Sequence, residues 1–165
     1  KYIRHQTNRG LAAALNSGFH RTRGKYLTWT SDDNMYAAEA IESMIGFLKK
    51  RGADMVYTDY YLITPRNHVL RCVLNQRPKY LKIANCIGFC FLYRRSVYEK
   101  VGDYNEAVKF KYVEDFDYWL RIKSRFKVEK LERCFYFARI HPGSLSYKYS
   151  WKTYQRTMLL NLFSR

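Results

Sequence analysis

Residues 25–34 read KYLTWTSDDN, an apolar and β-prone run that turns abruptly polar at Ser31. Tyr26, Leu27, Thr28, Trp29 and Thr30 are strand formers, and Ser31-Asp32-Asp33-Asn34 has the composition of a turn. Upstream, after Asn8-Arg9-Gly10, the residues Leu11, Ala14, Leu15 and Gly18 recur at helical spacing until Gly24 ends the pattern. Downstream, Ile41, Met44, Ile45 and Leu48 mark a second amphipathic helix that stops at Arg51-Gly52. Asp54 to Tyr61 (DMVYTDYY) then reads as another strand, and Lys1 to Gln6 as a short one. Alternating strands and helices predict an α/β layer with a largely parallel sheet. In open sheets of that kind ligands collect beyond the carboxyl ends of strands, where Asp32 and Asp33 stand.

The pattern loosens after Tyr61. Residues 62–84, with Pro65, Pro78 and many cations, predict a loop-rich excursion or hairpin. Ile87 to Tyr93 reads as a buried strand, and Arg95 to Val101 as a short helix closed by Gly102. Asp115 to Phe126 predicts a helix with Phe116, Trp119 and Leu120 inward, followed by a strand over Val128 to Phe137. Trp151 to Phe163 is a basic amphipathic helical pattern, with Lys152, Arg156, Leu159 and Leu160, suited to a membrane surface or to packing on the sheet.

A chain of 165 residues holds one domain with a real core, and its 47% hydrophobic and 18% aromatic content excludes a disordered basic tail. No apolar run reaches the ~18 residues of a membrane span. The net charge of +16, from 30 basic and 14 acidic residues, attracts phosphates: nucleotide-sugars, lipid headgroups or nucleic acid. Against that field the acidic groups Asp32-Asp33 and Glu114-Asp115 stand out. The four cysteines, Cys72, Cys86, Cys90 and Cys134, lack the spacing of a zinc site and are expected as reduced, partly buried thiols in a cytosolic protein.

A carboxylate at a strand end is a hard oxygen ligand for Mg²⁺ or Mn²⁺, although a solvated turn is the plainer account of an isolated Asp-Asp. Glu114-Asp115-Phe116-Asp117 suits a helix N-terminus, where the macrodipole favours acids, and Asp117 with Arg121 has the spacing of an i,i+4 ion pair.

Taken in order, Asn8-x-Gly10, Ala14-x-Asn16-x-Gly18, Gly24-x-Tyr26-Leu27 and Ser31-Asp32-Asp33 resemble the central part of a family 2 glycosyltransferase with the GT-A fold. Glu114-Asp115, leading into the Trp119-Leu120-Arg121 helix, and Arg139-x-His141 with Ser144 and Ser146 extend the resemblance over residues 1–147. It implies a Rossmann-like, mostly parallel sheet flanked by helices, a partial catalytic domain over 1–147, and a C-terminal basic amphipathic helix over 148–165. It also implies a start at the fold's third strand, so that roughly 50–80 residues that would bind base and ribose are absent. Self-association or instability of the isolated piece is the expected consequence.

The resemblance assigns roles as well. Asp115 becomes the general base and Glu114 its neighbour that orients the site or holds the acceptor. Asp33 becomes a metal ligand, with Ser31 standing where the family's acidic motif has its first Asp, and His141 a third metal or diphosphate contact. Donor binding falls to Ser31, Asp32, Asn16, Gly88 and Arg139. The implied reaction is metal-assisted, inverting transfer from a nucleotide-diphospho-sugar to a hydroxyl on a sugar, lipid-linked or protein-glycan acceptor. Mn²⁺ or Mg²⁺ is the implied cofactor, and the inner face of the membrane the implied place of work, with no nucleic acid as partner. Two rivals stand beside it: a basic nucleic-acid-binding module, and an inactive glycosyltransferase-like scaffold.

Overall fold

Period-2 alternation of apolar side chains along two central strands organises the molecule, and a computed structural model describes it over residues 1–107 and 112–144. Strand β3 (Met55–Ile63) sends Met55 and Tyr57 to one face and Val56 to the other. Strand β5 (Phe91–Arg94) does the same with Phe91 and Tyr93 against Leu92. Helices α1 (Leu11–Arg21), α3 (Arg95–Val101) and α4 (Glu114–Lys123) cover the first face, around Trp119, Tyr118, Phe116 and Phe19. Helix α2 (Ala40–Arg51) covers the other with Ala40, Met44 and Leu48.

The sheet runs β1–β5–β3–β6–β2, where β1 is Tyr26–Leu27, β2 Met35–Tyr36 and β6 Val128–Arg139; β4 (Val69–Val73) adds to β3 as a hairpin arm. Only β3 and β6 pair in parallel among the described residues; the other four pairings are antiparallel. The expected largely parallel sheet is therefore a mixed one. A parallel return needs a long crossover, whereas the chain leaves β3 through a tight hairpin and comes back to it as β5 in the opposite direction.

Local readings hold at element level and shift in detail. Helix α1 buries Ala12, Ala13, Asn16 and Phe19, a stripe displaced from the expected Leu11, Ala14, Leu15 and Gly18. Phe19 sets the rotation, since its ring stacks on Tyr104 at 6.0 Å and tilts against Tyr98 at 5.5 Å. Helix α2 ends at Gly52, which takes the left-handed conformation (φ 56°) and donates its N–H to the Leu48 and Lys49 carbonyls. Strand β1 is shorter than residues 25–30 suggest because Thr28 Oγ1 takes over, donating to the Phe91 carbonyl at 2.6 Å. Strand β5 starts late because Gly88, with φ 65°, bends the chain before it. Residues 1–6 form no strand, having no ladder partner among the described residues.

Two of the four cysteines depart from expectation. Cys72 on β4 and Cys134 on β6 form a disulfide, while Cys86 and Cys90 remain buried thiols. The register explains the meeting: β4 and β6 flank β3, with Cys72 opposite Tyr61 and Cys134 opposite Asp59, where the ladder shifts. No helix among the described residues is long and apolar enough to cross a membrane. The pattern at Trp151–Phe163, like Ser146, lies outside the described residues.

Candidate active site

Strand β6 runs beside β3 in the same direction, and its end meets the polar turn that follows β1. The Asn34 N–H closes that turn onto the Ser31 carbonyl at 3.4 Å. Asn34 Oδ1 then accepts the Arg139 N–H at 2.8 Å, and Arg139 Nε donates to the Asp33 carbonyl at 2.8 Å. These bonds tie the turn to the end of β6, and His141 follows two residues later. His141 Nε2 stands 2.9 Å from Asp33 Oδ2, although 108 positions separate them in the chain. Behind the pair, Thr30 Oγ1 and the Tyr136 hydroxyl lie 2.6 Å apart, and burial raises the Tyr136 phenol above its ordinary range.

Arg139 is more committed than a free anion partner. Its Nη1 donates to the carbonyls of Thr64 and Pro65 at the tip of the β3–β4 hairpin, both at 3.0 Å. Ser31 and Asp32 are exposed, and the Asp32 carboxylate has no hydrogen bond or ion pair among the described residues.

Glu114 and Asp115 open α4. The helix returns to the start of β6 through residues 124–127, so this acidic pair faces the end of the sheet toward which β3 and β6 run. Asp115 Oδ1 accepts the Phe116 N–H at 2.8 Å and Oδ2 accepts Asn85 Nδ2 at 3.0 Å. Burial raises the Asp115 carboxyl above the usual aspartate range; the two hydrogen bonds oppose that rise, and the Glu114 charge adds to it. Glu114 is itself buried, 8% exposed. Asp117 and Arg121 form the expected ion pair at 3.0 Å, and Arg121 also donates to the Val101 and Asp103 carbonyls.

Asn16 is engaged by the protein at both ends of its amide. Its Oδ1 accepts the Tyr104 N–H at 2.8 Å, while Nδ2 donates to the Tyr104 carbonyl at 3.0 Å and to Glu106 at 2.9 Å. That amide fastens α1 to the segment leading toward the acidic pair, with both its N–H groups committed to the protein. Gly88 is crowded: a Cβ there would stand 2.9 Å from Asn75 Nδ2 and 3.0 Å from the Tyr60 ring.

Sequence reasoning gave no role to Asn85, which holds Asp115, or to Asn34, which holds the turn. It also passed over Asp59 and Lys130, paired at 2.8 Å and almost completely buried, with Asp59 accepting the Asn75 N–H at 2.6 Å as well. The available signal was the single acid in the apolar and aromatic run of β3; Lys130 lies among other charged residues of β6 and carried none.

Residues 1–102 match the family model described as glycosyl transferase family 2. The chain belongs to glycosyl transferase family 2. An uncharacterised glycosyltransferase of Rickettsia prowazekii is 32% identical over 130 residues, which cover 71% of this chain and 40% of that protein. The Escherichia coli protein WfaP, named a UDP-Glc:α-D-GlcNAc-diphosphoundecaprenol β-1,3-glucosyltransferase, is 24% identical over 148 residues, covering 87% of this chain and 57% of that protein. Staphylococcus aureus TarS 1–349 in complex with UDP-GlcNAc superposes with a TM-score of 0.68 at 13% identity, covering 87% of this chain and 43% of that one, a likeness of fold. The family 2 chain thus has a mixed-sheet GT-A fold and spans about half or less of these proteins' lengths.

Proposed function

We propose that this family 2 glycosyltransferase chain carries the acceptor-activating and diphosphate-facing groups of an inverting transfer from a nucleotide-diphospho-sugar to a hydroxyl acceptor. The observation that carries the reading is the meeting of Asp33 and His141 at 2.9 Å beyond the carboxyl end of β6. A nucleotide-sugar donor is further supported by the UDP-GlcNAc bound to the TarS neighbour.

The Asp33 carboxylate suits Mn²⁺ or Mg²⁺, and an imidazole nitrogen beside it favours Mn²⁺ over Mg²⁺, which takes oxygen ligands. No group of three or more His, Cys, Asp or Glu gathers among the described residues, so donor phosphates and water would complete the shell. When bound, such a cation neutralises charge on a leaving diphosphate. The protein's own work is at Asp115. Its carboxylate takes the proton of the acceptor hydroxyl as that oxygen attacks the anomeric carbon; the C–O bond to the diphosphate breaks on the opposite face, inverting the centre. Asn85 and the Phe116 N–H hold the carboxylate toward the acceptor, and buried Glu114 shapes the floor beside it. Asp32 and Ser31, exposed at the turn, remain available to the donor; Arg139 serves by bracing Asp33.

A donor screen on the full-length protein with Mn²⁺ or Mg²⁺ tests this. Asp115→Asn is expected to lower transfer by about 10²–10⁴ while leaving donor affinity near wild type. Turnover unchanged by that substitution refutes the role of Asp115.

A further inference from the structure

The β3–β4 hairpin and the segment after it, residues 64–84, take no part in either core beyond Leu81. Val69, Leu70 and Leu74 are 55%, 56% and 70% exposed, and Tyr80, under the Lys79 ammonium, is 40% exposed, so large apolar groups stand uncovered among the described residues. Among them rise Arg66, Arg71, Lys79 and Lys82, none of which forms an ion pair among the described residues; Arg77 has only a 3.9 Å contact with exposed Glu132. From residue 60 to residue 98 the sequence holds seven Lys and Arg and not one Asp or Glu. Aliphatic groups interleaved with unneutralised cations are the chemistry of an anionic bilayer surface, where chains enter the acyl boundary and cations meet headgroup phosphates.

The surface touches the candidate site at both ends. Arg139 ties its tip, at Thr64 and Pro65, to Asp33, and Asn85 at its far end holds Asp115. We propose that residues 66–82 form a docking surface for anionic phospholipid, laying the open side of the site along the membrane plane. Pairing of two copies through the β4 edge is disfavoured by the same charges, which would bring like cations together. This inference stands apart from the glycosyl-transfer reading, because it is measured by lipid binding without donor or acceptor.

The experiment pellets the full chain with phosphatidylcholine vesicles and with vesicles containing phosphatidylglycerol. Binding is expected only to the anionic vesicles and is expected to weaken as salt rises. The pairs Leu70→Ser with Leu74→Ser, and Arg71→Glu with Lys82→Glu, should each lower partitioning at least about tenfold. Both pairs lie on exposed positions and should melt as wild type does. Absence of pelleting at low salt, equal partitioning into neutral vesicles, or partitioning unchanged in both variants overturns the proposal. So does a serine variant that keeps its vesicle binding and dissociates a dimer, which assigns the face to a second copy. Tighter binding to an oligonucleotide than to vesicles, abolished by the charge-reversal pair, assigns it to nucleic acid instead.

Discussion

Burial lifts the Asp115 carboxyl while Asn85 and the Phe116 N–H stabilise its ionised form, so the group is poised by opposing forces. As the proposed base, Asp115 must be ionised to work, which puts the acid limb of a kcat/KM profile above the ordinary aspartate value of about 3.9. Asn85→Ala removes one bond to the carboxylate; the limb should move further up and neutral-pH turnover fall about tenfold. The same shift bears on folding. The native carboxyl binds its proton more tightly than the unfolded chain does, so its contribution is fully favourable below the unfolded value and is lost as pH rises through the folded one. Asp115→Asn should therefore melt above wild type at pH 7, even as it loses transfer; a lower melting temperature contradicts this. On the proposed metal-assisted reading, Asp33→Asn or His141→Ala should weaken transfer assayed with Mn²⁺ without moving that acid limb, because neither touches Asp115.

At the scale of elements, β3 and β6 bear the burden, being the parallel pair that carries the hairpin, the turn and His141. Their buried Asp59–Lys130 pair lies at the bend of the ladder and also binds Asn75, which in turn crowds Gly88. Lys130→Met strands a buried carboxylate and should cost about 3–5 kcal/mol, read as a lower urea or thermal midpoint. Helix ends were legible because their signals are local: Gly52 and Gly102 close α2 and α3 where the pattern puts them. The helix face of α1 was not, since Phe19 finds its orientation from Tyr104 and Tyr98, which lie far along the chain.

Across the whole molecule, the cysteines supply a separate check. Without reductant, alkylation of the denatured chain should label Cys86 and Cys90 and leave Cys72 and Cys134 unlabelled. In the native state Cys90 should resist labelling too, since burial pushes its thiol up to about 12 and leaves little thiolate. Four labelled cysteines in the denatured, unreduced chain would refute the bridge. The family, the α/β layering, most helices and both acidic groups came from the sequence, because hydrophobic period and turn chemistry act over a few neighbouring residues. Tertiary structure alone decided that the sheet is mixed, that Asn16 serves α1 packing, and that Cys72 meets Cys134. It also brought His141 to Asp33 and Asn85 to Asp115. Those contacts join segments distant in the chain, and only the register of β3 against its neighbours and the packing of α4 bring them within bonding distance.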